Sequence, residues 1–258
     1  MFGIKVRFEK YRFLFEELVK RDFKNKYKRT FLGLLWSMLG PLLQLLVMSL
    51  VFSQLFKGRT EHFTIYIFAG NLVFSFFRES TNGGMMALMN NSGIITKINT
   101  PKYIFLLSKN VSSLFNFGLT LVIFFVFVAI DQVPFTPLFL TLIYPIICLT
   151  VFNIGVGLIL SALYVFFRDI QYIYDIFTLL LMYLSAIFYP IDTFSPAIQR
   201  LFYANPVYAY ISYFRQVVMQ GIMPSLQHNL LCLFYAIAAL GIGALIYKHY
   251  NYRFLYYM

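Results

Sequence analysis

The sequence predicts an all-α membrane protein with six transmembrane helices, an N-terminal interfacial amphipathic helix and two short re-entrant helices before the last span. Three observations carry that reading. Hydrophobic residues make up 60% of the 258 and charged ones only 12%, against about 25% charged in soluble domains. Six apolar runs are each long enough for the roughly 30 Å hydrocarbon layer, which takes about 20 residues at ~1.5 Å of rise. The basic segment Arg21–Thr30 also runs straight into Phe31–Leu42, joining a stretch too polar for lipid to one suited to nothing else.

Taken in order, residues 6–20 place Phe8, Tyr11, Phe15 and Leu18 on one helical face and Glu9, Arg12, Glu16 and Lys20 on the other, the pattern of an interfacial helix. Ten of the Lys and Arg residues precede residue 30, so the positive-inside bias and anionic headgroups hold this end in the cytoplasm. Charge interrupts the segment throughout. It therefore does not read as a signal peptide, and the first span is expected to stay in place.

The spans fall near 31–56, 63–88, 104–130, 137–166, 171–189 and 226–248, and an even number returns the C-terminus to the cytoplasm. With Arg78 set aside as intramembrane, this topology puts sixteen Lys and Arg inside and four outside, Lys57, Arg59, Arg200 and Arg215, as the same bias requires. The connections 57–62 and 131–136 are too short for domains. Residues 1–258 thus read as one transmembrane unit: a cytoplasmic helix to residue 30, five spans over 31–190, two short helices in 191–225, and the last span and tail over 226–258. Thr193–Tyr203 and Pro206–Gly221 are amphipathic and punctuated by Pro190, Pro196, Pro206 and Pro224, which break or start helices according to position. Half-length helices dipping into the membrane fit this pattern, because irregular backbone at that depth needs protein or water beside it. A plain external loop with surface helices is the alternative.

Polar residues inside the spans are patterned. Asn71, Ser75, Arg78 and Asn82 fall at i, i+4, i+7 and i+11 with Glu79 beside them. The third span repeats the spacing with Lys109, Ser113, Asn116 and Thr120, and the fifth more weakly with Gln171, Asp175, Thr178 and Ser185. A charge at mid-membrane costs about 2.5 kcal/mol or more, so these stripes face protein or water. They mark either a hydrated pathway or a polar helix seam. Trp36, Asn71, Phe74, Ser75, Arg78, Asn82, Lys109 and Asn116 are the pathway candidates.

Enzyme chemistry is not written in the chain. There is no Gly-x-x-x-x-Gly-Lys-Ser/Thr loop, no His-Glu-x-x-His pair and no Gly-x-Ser-x-Gly elbow, so no device of those kinds holds nucleotide, metal or nucleophile. His62, His228 and His249 lie apart, and Cys148 and Cys232 lack metal-ligand spacing. No catalytic residue, metal site or cofactor is expected. The net charge of +11 sits mostly in the N-terminal helix and argues for lipid headgroups, with no nucleic-acid partner. The 31 Phe and 20 Tyr can stack on sugars, but they also suit lipid contact and interfacial belts.

Four segments carry a resemblance. Leu18-Val-Lys-Arg-Asp-Phe-Lys-Asn-Lys-Tyr-Lys-Arg-Thr-Phe-Leu-Gly-Leu-Leu-Trp36 with Pro41 a turn later, Ile94-Ile-Thr-Lys-Ile-Asn-Thr-Pro-Lys102, Phe167-Arg-Asp-Ile170 and Asn205-Pro-Val-Tyr208 resemble, in order and spacing, the permease subunits of ATP-binding-cassette exporters for polysaccharide and polyol phosphate, the O-antigen, teichoic-acid and capsule types. The resemblance implies a homodimer in the bacterial cytoplasmic (inner) membrane, with both termini in the cytoplasm and two copies of a separate ATPase that holds ATP and Mg. It also implies membrane lipids as partners and a lipid-linked glycan or polyol-phosphate polymer as cargo. By the same resemblance, the loop Asn91–Lys102 holds a coupling helix for the ATPase, with Ile94, Ile95, Thr96, Lys97, Ile98 and Pro101 as its contacts. Residues 193–203 and 206–221 would form the outer gate, with rings at Tyr203, Tyr208, Tyr210 and Tyr213 and with Arg200 and Arg215 open to phosphates or carboxylates. Thr100 departs from the pattern, since an aromatic commonly precedes that proline. An exporter of drugs or small lipids, and a membrane-embedded glycosyl- or acyltransferase, are the rival functions.

Overall fold

A computed structural model describes residues 2–27, 33, 35–56, 62–98, 100–251 and 253–257. The segment 28–32, where the first run begins, and the connection 57–61 with Lys57 and Arg59 lie outside the described residues. Eleven α-helices are found among those described: α1 Phe2–Tyr27, α2 Leu35–Phe56, α3 Phe63–Met86, α4 Ser92–Ile95, α5 Tyr103–Ile130, α6 Ile143–Phe166, α7 Ile170–Leu184, α8 Pro196–Phe202, α9 Pro206–Val218, α10 Leu226–Tyr250 and α11 Phe254–Tyr257. No strand occurs among them.

Each of the six apolar runs holds a helix, but they are not equivalent. Tyr103–Ile130, Leu226–Tyr250 and Pro137–Phe166, the last entered through a 3-10 turn at Pro137–Leu142, are long and apolar enough to cross a membrane. The 15 residues of α7 extend only about 22 Å at ~1.5 Å per residue. That helix stops at Leu184, five residues before the run ends, because Ala186 takes a left-handed conformation (φ 48°). Without a glycine or asparagine at that position the sequence carries no marker for the turn.

The main core joins α3, α5, α6, α9 and α10 through Phe68, Phe76, Phe117, Phe124, Phe214 and their neighbours. Helices α6 and α10 touch backbone to backbone at Gly155, where an added Cβ would stand 2.3 Å from the Ala239 carbonyl carbon; small residues at a seam permit such an approach. Asn205 caps α9 by accepting from the amides of Val207 and Tyr208, with Pro206 at the first helical position. Eleven of its thirteen residues are buried, so α9 is a core helix and not an amphipathic surface helix. The preceding α8 has no buried residue.

A second cluster unites the other end of the bundle: Leu18 of α1, Leu88 and Ile95 of the α3–α5 connection, Phe105, Val165, Tyr247 and Phe254. The inward face of α1 holds Tyr11, Phe15 and Leu18, while Arg12–Glu16 and Lys20–Glu17 pair on the exposed side at 2.7 and 2.9 Å. This helix leans on α5. Asp22 accepts from Arg21 at 2.9 Å and from Lys109 at 3.0 Å, and Phe23 meets Phe115 edge-on at 4.8 Å.

Candidate functional site

The polar stripe of α3 opens into two adjoining recesses. One, of about 260 Å³, lies between α2, α3 and α5 and is lined by Trp36, Asn71, Ser75, Glu79, Asn116 and Thr120 among others. The second, of about 370 Å³, lies towards α7 and adds Gln44, Phe74, Arg78, Asn82 and Met182. Asn116 donates to Glu79 Oε1 at 2.6 Å and Ser75 to Asn71 Oδ1 at 3.4 Å, so the groove floor is cross-linked between α3 and α5. Ser75, Arg78 and Glu79 are exposed, and Arg78 has no ion-pair partner among the described residues. Such a surface can bond hydroxyls, phosphates or water while Trp36, 47% exposed, offers a ring face.

Seven of the eight expected pathway residues meet here: Trp36, Asn71, Phe74, Ser75, Arg78, Asn82 and Asn116. Lys109 does not. Its helical period puts it on the Asn116 stripe, but α1 covers that part of α5 and Asp22 takes its ammonium, a contact set by tertiary packing. Gln44 of α2 also lines the groove; a lone glutamine in an apolar run gave no periodic signal. In the weaker α7 stripe the two hydroxyls are satisfied locally, Thr178 donating to the Asp175 carbonyl at 2.9 Å and Ser185 to Leu181 at 2.7 Å, while Gln171 accepts from Tyr164 of α6 at 3.3 Å.

The α3–α5 connection is compact. A 3-10 turn at Met89–Asn91 leads into the single turn α4, and Thr96 donates back to the Ser92 carbonyl at 2.9 Å. Thr96, Lys97 and Ile98 are exposed, Ile94 and Pro101 partly so. Ile95 is not a surface contact: it is 4% exposed and packs into the second cluster, because four-residue α4 can present only one face outward. Lys102 is buried too, and desolvation pushes its ammonium below the usual lysine value.

At the opposite end of α3, the six expected gate residues separate. Arg200 is exposed and Tyr203 half-buried, sharing a hydrogen bond with Ser212 at 3.1 Å. Tyr208, Tyr210, Tyr213 and Arg215 lie in the core, which corrects the expectation that these rings and the Arg215 guanidinium are open contacts at the outer gate. Tyr210 donates to the Cys232 carbonyl at 2.8 Å. Arg215 donates to the carbonyls of Tyr66, Ala186 and Ile187 at 2.9–3.3 Å, and its guanidinium lies 3.4 Å from the Tyr66 ring centroid. It thus serves the Ala186 and Ile187 carbonyls just past the end of α7, the first of them shared with the Tyr66 hydroxyl, and is buried away from any phosphate at the surface.

With this geometry in place, known proteins give a consistent comparison. A family model described as ABC-2 type transporter matches residues 14–219. An O-antigen export system permease protein RfbA of Myxococcus xanthus is 30% identical over 217 residues, 83% of each chain. Two RfbA permease proteins of the same description from Klebsiella pneumoniae are 26% identical, one over 249 residues covering 94% of this chain and 95% of the relative, the other over 216 residues covering 82% and 83%.

Proposed function

Because the chain belongs to the ABC-2 type transporter family, a multi-pass permease that works with a separate ATPase and is not itself an enzyme, we propose that it exports a lipid-linked polysaccharide across the bacterial inner membrane. The relatives' O-antigen export names favour this cargo over drugs or small lipids. In this reading the permease is a six-span homodimer with both termini in the cytoplasm. Two ATPase copies carry ATP and Mg and dock on Thr96–Ile98, and the region 191–225 closes the outer exit through re-entrant helices.

The groove on α3 is the observation that carries the proposal. Exposed Ser75, Arg78 and Glu79 are flanked by the apolar outer faces of α2 (Leu43, Leu46, Leu50) and α7 (Ile173, Ile176, Leu180). Hydrocarbon is a poor neighbour for an exposed guanidinium at mid-helix, so a second copy and a hydrated polymer path are its natural cover. Arg78→Ala is expected to cut surface display of the host's polymer about tenfold, with the permease–ATPase complex still isolated intact. Undiminished display would remove the groove from the transport path.

A further inference from the structure

Lys102 sits where the α3–α5 connection returns to α5, and its partners lie elsewhere in the chain. Its Nζ donates to the Asn251 carbonyl at 2.6 Å and to Asn251 Oδ1 at 3.2 Å, and stands 6.0 Å from the Phe254 ring centroid. The last carbonyls of a helix have no intrahelical donors and form the negative end of its dipole. A cation from the loop therefore caps α10.

The tail is also held from its other side. Phe166, ending α6, meets the rings of Tyr250, Phe254 and Tyr257 at 5.4, 5.8 and 5.0 Å, and Tyr247 shares a 2.6 Å hydrogen bond with Ser161. Phe254 is fully buried in the cluster that contains Ile95 and Leu18. The exposed edge Thr96–Ile98 thus hangs between two anchors, Ile95 in the cluster and Lys102 on the end of α10.

We infer that Lys102 is a positioning residue that makes the end of the last helix and the C-terminal tail part of the ATPase-docking unit, so that a partner bound at Thr96–Ile98 acts on α10 as well as on α3 and α5. This rests on the docking reading above. A charge-assisted hydrogen bond resists stretching, and a loop this short cannot shift without carrying its anchors.

Amide hydrogen exchange on the full permease, alone and in complex with its ATPase, tests this. In the wild-type complex, exchange should slow at 94–98 and also at 251–257, the tail by about tenfold, within the usual range of coupling between sites. Lys102→Met should keep the slowing at 94–98 and lose it at 251–257; Lys102→Arg should keep both. Equal tail slowing in the Lys102→Met complex, or none in the wild-type complex, overturns the inference. Should Lys102→Met fail to assemble, the wild-type tail decides alone. Absence of slowing at 94–98 in wild type would instead overturn the docking assignment, and this inference with it.

Discussion

Arg215 shows what a single side chain can do that its position in the sequence does not announce. It stands in a proline-punctuated stretch where a surface charge is the natural expectation, yet it is 7% exposed and bound to carbonyls as far as 149 residues away. Nothing local encodes those partners. One clue lies at Gly70, where an added Cβ would stand 2.8 Å from Arg215 Nη2, but that too requires the tertiary contact to be known. Arg215→Met is expected to lower stability by about 2–3 kcal/mol, since the Ile187 carbonyl loses the Arg215 donor and Ala186 keeps only the Tyr66 hydroxyl, while relief of charge burial offsets part of the loss. Gly70→Ala should act in the same direction by displacing the guanidinium. Thermal midpoints in detergent should show the double variant less destabilised than the sum of the singles, as for any shared contact; strict additivity would separate Gly70 from Arg215.

At the scale of elements, helix positions were legible where apolar runs are long and uninterrupted, as in α5, α6 and α10, and the α3 stripe followed from its spacing alone. What could not be read was which face of a short element turns inward. Ile95 and Ile98 looked alike as docking contacts, but only Ile98 is exposed, at 52% against 4%. The two therefore separate in a test. Ile95→Asp should destabilise the permease by about 3–5 kcal/mol, the cost of an unpaired buried charge, and reduce its yield. Ile98→Asp should leave stability within about 0.5 kcal/mol while reducing ATPase copurification and export; normal copurification would take Ile98 out of the docking edge. The seam of α1 makes a second case. Lys109 was legible as part of a stripe, and its capture by Asp22 was not, because it depends on how α1 lies against α5. Lys109→Met should loosen α1, seen as faster proteolysis within residues 2–27, and leave the groove residues in place.

For the whole molecule, the two ends of the bundle are defined by contacts between distant connections. His62 Nδ1 and Asp131 Oδ2 lie 2.9 Å apart, so the α2–α3 and α5–α6 connections share one end. The α3–α5 connection shares the other with the C-terminal tail through Lys102 and Asn251. The second end holds Lys97, Lys102, Arg168, Lys248 and Arg253 in addition to the basic α1, the excess of positive charge that the proposed cytoplasmic orientation of this end requires. Charge counting proposes an orientation from sequence because it needs no packing detail; pairing the connections needed the fold. Cys148 and Cys232 are both buried, so introduced cysteines can be labelled against a quiet background. Exposed Gln132 and Ala204, replaced by cysteine, should react with an impermeant maleimide on sealed cells. Cysteine at exposed Gly93 or Arg168 should react only after permeabilisation. Labelling at Gly93 in sealed cells would invert the orientation and, with it, move the docking edge away from any cytoplasmic ATPase.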